Sequence, residues 1–120
     1  MGGPRREPGR SWQRIPTEFG TVYLWVGGPV PPGSAAITLG RLIIIRRRAA
    51  GNERLLRHEL VHVRQWHQLG VLGFLRQYLG AYLAGRFRGY GHTEAYRLIP
   101  LEVEAEEESG RPLEGPTPAG

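Results

Sequence analysis

The 120 residues are one domain's worth of chain, 40% hydrophobic and 22% charged, within the range of a globular fold. There is no cysteine, which excludes disulfides and thiolate metal ligands. The net charge is +5, but every cation is Arg and every anion is Glu; this is a compositional bias, so no nucleic-acid partner is expected from charge alone.

The charge is also uneven along the chain. Residues 1–101 carry a net +10 and residues 102–120 a net −5. Residues 1–14 and 109–120 are rich in Gly, Pro and charge and predict disordered tails around a folded domain at 15–108. No apolar run in Met1–Arg14 resembles a secretory signal. The most apolar long stretch, Leu69–Gly85, is short and carries Arg76 and Gln77, so no membrane span is expected and a cytoplasmic location is the default.

Thr21–Val26 is β-branched and aromatic and ends at Gly27-Gly28, which predicts a strand. Pro29–Ser34 is a loop, Ala36–Leu39 a second strand, Gly40-Arg41 a turn, and Leu42–Arg46 a third strand. Together they predict a small antiparallel sheet. Asn52 is a good N-cap for a helix over Glu53–Leu69, which Gly70 closes. Its apolar stripe is Leu56, Leu60 and Val63, widened by Leu55, Trp66 and Leu69. A second helix follows over Val71–Arg88, with Leu72, Leu75, Leu79, Tyr82 and Leu83 as its apolar positions and three glycines that permit close packing. Gly89–Gly91 breaks the chain and Thr93 caps a short turn, Glu94–Arg97. Pro100 then starts a last helix, Pro100–Glu108. The fold class is α+β.

His58 and His62 stand four residues apart on the first helix, so both imidazoles share one face about 6 Å apart at Cβ, a spacing that suits two ligands of one tetrahedral zinc ion. Glu59 lies next to them round the helix and is placed to act as a general base without ligating, which is the chemistry of H-E-x-x-H. A catalytic zinc needs a third protein ligand. His67 follows His62 by five residues and is rotated off the site face; His92 is alone in a loop. Glu102 stands among Ile99, Leu101, Val103 and Ala105, an apolar setting that separates it from the acidic run Glu106–Glu108. Glu106, one turn on from Glu102, is placed to accept the free ring N–H of a ligand histidine, while Glu104 points elsewhere.

Arg57-His-Glu-Leu-Val-His-Val-Arg-Gln65, with Pro100-Leu-Glu-Val-Glu-Ala105 some forty residues later, resembles the gluzincin metallopeptidases, and most of all minimal thermolysin-like cores. The resemblance covers about residues 35–108 and implies a zincin-like arrangement, with the sheet followed by an active-site helix, a second helix and a C-terminal helix carrying the third ligand. It implies Zn2+ on His58, His62 and Glu102, Glu59 as the catalytic base, and a peptide or protein substrate. Glu106 stands where that family usually has Asp.

The expected reaction is hydrolysis of a peptide bond. Zinc brings the pKa of water to about 7 and Glu59 takes the proton. Either Ala36–Leu39 or Leu42–Arg46 offers an edge to an extended substrate. Tyr90, His92, Tyr96 and Arg97 are the polar candidates for stabilising the transition state. A domain this small is also compatible with a partner protein that completes the specificity pocket. The alternative is a catalytically inactive, zinc-stabilised interaction module.

Overall fold

A computed structural model of the protein describes residues 11–110. Strand β2 (Gly20–Val26) alternates strictly, with Val22, Leu24 and Val26 inward and Tyr23 outward. It pairs antiparallel with β1 (Ser11–Thr17) and parallel with β4 (Leu42–Ile45), and β4 pairs antiparallel with β3 (Ala36–Leu39). The order is β1-β2-β4-β3.

The expected sheet is therefore present, but it is mixed, and it has a fourth strand. β1 begins at Ser11, so residues 11–14 belong to the sheet and not to a tail. The rest of the tail expectations, at 1–10 and 111–120, lie outside the described residues. Pro16 within β1 hides the strand in the sequence, and an edge position is where a proline is tolerated. The parallel pair arises because the loop after β2 carries the chain past β4's position to the far edge before it turns back. Arg46 fixes that loop, its guanidinium donating to Ser34 O (2.6 Å), Val30 O (2.9 Å) and Pro31 O (2.9 Å). Gly28 lies so close under Trp25 that a Cβ would fall 2.6 Å from its ring.

Helix α1 (Glu53–Phe87) is capped by Asn52, whose side chain accepts from Leu55 N at 3.0 Å. Its first segment lays Leu55, Leu56, Leu60 and Val63 on the inner face of Val22, Leu24, Val26, Ile43 and Ile45. Gly70 breaks the helix with φ 75° and ψ 169°, a backbone state favoured only for glycine. The helix resumes at once, and the second segment turns so that Phe74 stacks on Trp66 at 4.1 Å. In an unbroken helix those two positions would lie ~12 Å apart along the axis.

The buried face of that second segment is not the expected one. Phe74 is buried and Tyr78, Ala81 and Tyr82 pack with it against Ile99 and Leu101, whereas Leu72 (82%), Leu79 (52%) and Leu83 (54%) are exposed. Two apolar faces compete on this helix, and the one that completes the Trp66–Phe74–Tyr78 stack is buried.

Helix α2 (His92–Arg97) is preceded by Gly91 as its N-cap, so Thr93 does not cap it. Ala95 packs on Gly85 closely enough that a Cβ there would lie 3.1 Å from the Ala95 Cβ, the close approach expected of those glycines. Helix α3 (Pro100–Ser109) starts at Pro100 after an extended Ile99 and buries Leu101, Glu102, Ala105 and Ser109, so Ser109 also belongs to the fold.

The sign asymmetry of the sequence is resolved in the α1–α3 contact. Arg54 pairs with Glu106 (2.8 Å), Arg64 with Glu104 (3.1 Å) and with both oxygens of Glu108 (2.9 Å each). Arg57 donates to the Ser109 carbonyl at 2.9 Å. These contacts hold α3 against the face of α1 that bears His58 and His62. Among the described residues, no helix is long and apolar enough to cross a membrane.

Candidate metal centre

α1 supplies His58 and His62 from successive turns, with ring centroids 5.0 Å apart and planes at 74°. α3 inserts Glu102 from its first turn, so that one ligand-type atom from each of the three residues lies within 4.8 Å of the others. Both Nε2 atoms face the same carboxylate: His58 Nε2 is 3.0 Å from Glu102 Oε1 and His62 Nε2 is 3.2 Å from Glu102 Oε2. The hydroxyl of Tyr78 donates to Glu102 Oε2.

The opposite ring nitrogens have their own partners. His58 Nδ1 is 3.3 Å from Glu106 Oε1, the placement anticipated for Glu106, and His62 Nδ1 is 2.8 Å from Gln65 Oε1. Despite its nearness to Glu102, His62 Nε2 is buried without hydrogen-bond geometry to any partner among the described residues. A buried ring nitrogen that makes no hydrogen bond, facing a carboxylate and a second imidazole, completes a donor set that fits a divalent cation. Two nitrogens and one oxygen suit zinc, with a fourth position left open.

Burial is the largest influence on His62 and lowers its proton affinity, but Glu102, with Gln65 and Glu59, outweighs it and holds the ring above its ordinary value of 6.5. Burial likewise pushes the Glu102 carboxyl up, but the His58 and Tyr78 hydrogen bonds and the charge of the nearby His62 ring take it well below the usual range. In metal-free protein, His62 therefore contributes stability that is present below pH 6.5 and lost as pH rises through its folded value. Glu102 contributes stability that is present above its ordinary 4.5 and lost as pH falls below it. A metal must displace the His62 proton. Zinc affinity, titrated against a chromophoric chelator from about pH 5 to about pH 9, is thus expected to rise through a midpoint above that of a free histidine. Over the same interval the urea stability of the metal-free protein should fall. Parallel trends in the two would contradict the assignment.

His58, Glu59, Glu102 and Glu106 line a cleft of about 800 Å³ whose other walls include Ala35 and Ala36 from β3's end and Tyr96 and Arg97 from α2. Glu59 is buried, and the Thr38 hydroxyl donates to its Oε1 at 2.5 Å. Tyr96 faces Glu102 and Tyr78. Burial first, and then the Glu102 charge, push both tyrosine hydroxyls far upward, so both stay protonated donors. His92 lines the cleft with Nδ1 3.0 Å from Tyr82 Oη. Tyr90, one of the four sequence candidates, packs by Gly85 and is not among the residues that line the cleft. His67 lies off the centre, its ring 4.8 Å from Phe19, and Glu104 is engaged by Gln65 and Arg64. Of the two strands offered as substrate edges, β4 is paired on both sides and has none to give, whereas β3 is an outer strand.

A family model for the eCIS core domain matches residues 31–70. Over that stretch the chain is similar to the eCIS core domain. No curated protein and no solved structure matches the chain. The eCIS core stretch takes in β3, β4 and the first segment of α1, hence His58, Glu59 and His62, and stops short of α3 and Glu102.

Sequence reasoning missed three residues of the centre. Gln65 follows His62 by three positions, on the same helix face, and that spacing was the available signal. Thr38 and Tyr78 gave none: each reads as an ordinary strand or core residue until the chain is folded.

Proposed function

We propose that the protein is a zinc-dependent peptidase of the gluzincin kind, with His58, His62 and Glu102 as ligands and Glu59 as general base. The observation that carries this reading is the convergence of Glu102 on the two imidazoles from 44 positions away in sequence from His58, with His62 Nε2 buried beside it and making no hydrogen bond. Zinc, when held there, supplies a Lewis acid and the acidification of water.

The protein's own residues supply the rest. Glu59 takes a proton from the attacking water and returns it to the leaving amine. Thr38, bonded to one Glu59 oxygen, leaves the other to work. The β3 edge receives an extended peptide. Ala35 O accepts from Arg46 N on the β4 side, so strand alternation turns the main-chain groups of Ala36 and Thr38 to the open edge beside the cleft. Tyr96, protonated and within the cleft, is the best-placed donor to the developing oxyanion, and His92 lines the same cleft. Glu106 and Gln65 orient the two rings. The reading keeps the cytoplasmic setting, the peptide or protein substrate and the option of a partner that completes the pocket.

Elemental analysis of protein purified without added metal is the direct test. About one zinc per chain is expected. Removal by a chelator should abolish cleavage of a peptide library, and added zinc should restore it. Stoichiometric zinc with no cleavage would favour the inactive-module alternative, and no zinc at all would overturn the metal centre.

A further inference from the structure

Gln65 is 2% exposed and sits between the helix that carries two of the proposed ligands and the helix that carries the third. Its amide orientation is fixed by its neighbours. Nε2 donates to the Leu101 carbonyl at 3.0 Å and to Glu104 Oε1 at 2.6 Å. A carbonyl only accepts, so the amide N–H must face Leu101 and the amide oxygen must face His62 Nδ1, 2.8 Å away. That oxygen is itself only an acceptor, so the one hydrogen bond the ring makes puts the proton of a neutral His62 on Nδ1. The lone pair is then on Nε2, which lies 3.2 Å from Glu102 Oε2 but out of hydrogen-bond geometry with it.

We infer that Gln65 is a positioning residue that locks His62 as the Nδ1–H tautomer and thereby sets the zinc affinity of the centre. This rests on the metal reading above. The opposite tautomer would set two lone pairs against each other at Nδ1 and Oε1, and would aim a proton at the point where a cation must sit. The same amide bonds to the carbonyl of Leu101, the residue immediately before Glu102. One buried side chain therefore ties the tautomer of one ligand to the backbone that carries another. Arg64, 3.1 Å from Glu104, steadies the outer end of the chain Arg64–Glu104–Gln65–His62.

The lock is visible without metal. In full-length, 15N-labelled, metal-free protein at a pH alkaline enough to keep the rings neutral, two-bond 1H–15N spectra report the tautomer of each histidine, and His62 should be Nδ1–H. In Gln65→Met, which keeps the volume and removes both hydrogen-bonding ends, the population should shift toward Nε2–H. Zinc affinity, read by chelator competition, should fall about 10- to 100-fold. Gln65→Glu keeps an acceptor for Nδ1 and should retain the tautomer better than Gln65→Met. An Nε2–H ring in wild-type protein that does take up zinc overturns the inference alone, and it needs no variant to fold. A Gln65→Met protein with unchanged tautomer and unchanged affinity overturns it as well. Wild-type protein with an Nδ1–H ring that takes up no zinc overturns the metal reading, and with it the part assigned to Gln65 in ligation.

Discussion

Glu59→Gln is expected to keep its zinc and to lose peptide hydrolysis, with kcat down by about 100- to 10,000-fold. The carboxylate is not one of the three converging groups, so its charge is not needed to hold the ion. An amide fits the same space, and its oxygen still accepts from the Thr38 hydroxyl, so Glu59's buried position between β3 and α1 survives. What the amide cannot do is take up a proton. Steady-state kinetics on one peptide, with metal content measured on the same sample, separates the two functions. A variant that keeps both its zinc and its kcat would show that the base lies elsewhere.

The second large effect is expected at Glu102. Glu102→Ala removes the carboxylate that both Nε2 atoms face, and it also takes the acceptor from Tyr78. Zinc affinity should drop by more than the roughly 10- to 100-fold typical of changes to groups that merely orient ligands. The metal-free protein should lose stability too, since the half-buried Tyr78 hydroxyl loses its carboxylate acceptor, and a hydrogen bond to a charged group contributes about 1.5–3 kcal/mol. Equilibrium dialysis reads the first effect and urea unfolding the second. Stoichiometric zinc surviving the substitution would exclude Glu102 as the third ligand.

The parts of the molecule legible in the sequence are those governed by local chemistry. Asn52 caps α1, Gly70 ends its first segment and Pro100 starts α3, because each fixes its own backbone or its nearest N–H groups. The spacing of His58, Glu59 and His62 is a property of one helix, and Glu102 was separable from its acidic neighbours by its apolar flanks. What failed were choices that only packing decides. The second segment of α1 offers a leucine face and an aromatic face, and the sequence does not say that Trp66 will be there to receive Phe74. β1 carries a proline that matters little at an edge, but its edge position is a fact of topology. The acidic run after Glu102 reads as a solvated face; Arg54 and Arg64 on α1, with Arg57 at the Ser109 carbonyl, make it an interface through pairings some 44 to 52 positions apart. Gln65 and Tyr78 acquire their roles from the same docking.

The donors of the centre come from chain positions that are far apart, and the stretch between them holds the Gly70 bend, the rest of α1 and all of α2. An ion held by His58 and Glu102 would close a ring of 44 positions. A staple across a ring of that length removes roughly 4 kcal/mol of freedom from the unfolded chain on the cross-link model. Loading such an ion would then raise the melting temperature of the entire domain, the distal sheet included, and any fragment cut short of α3 would keep both imidazoles yet forfeit that gain.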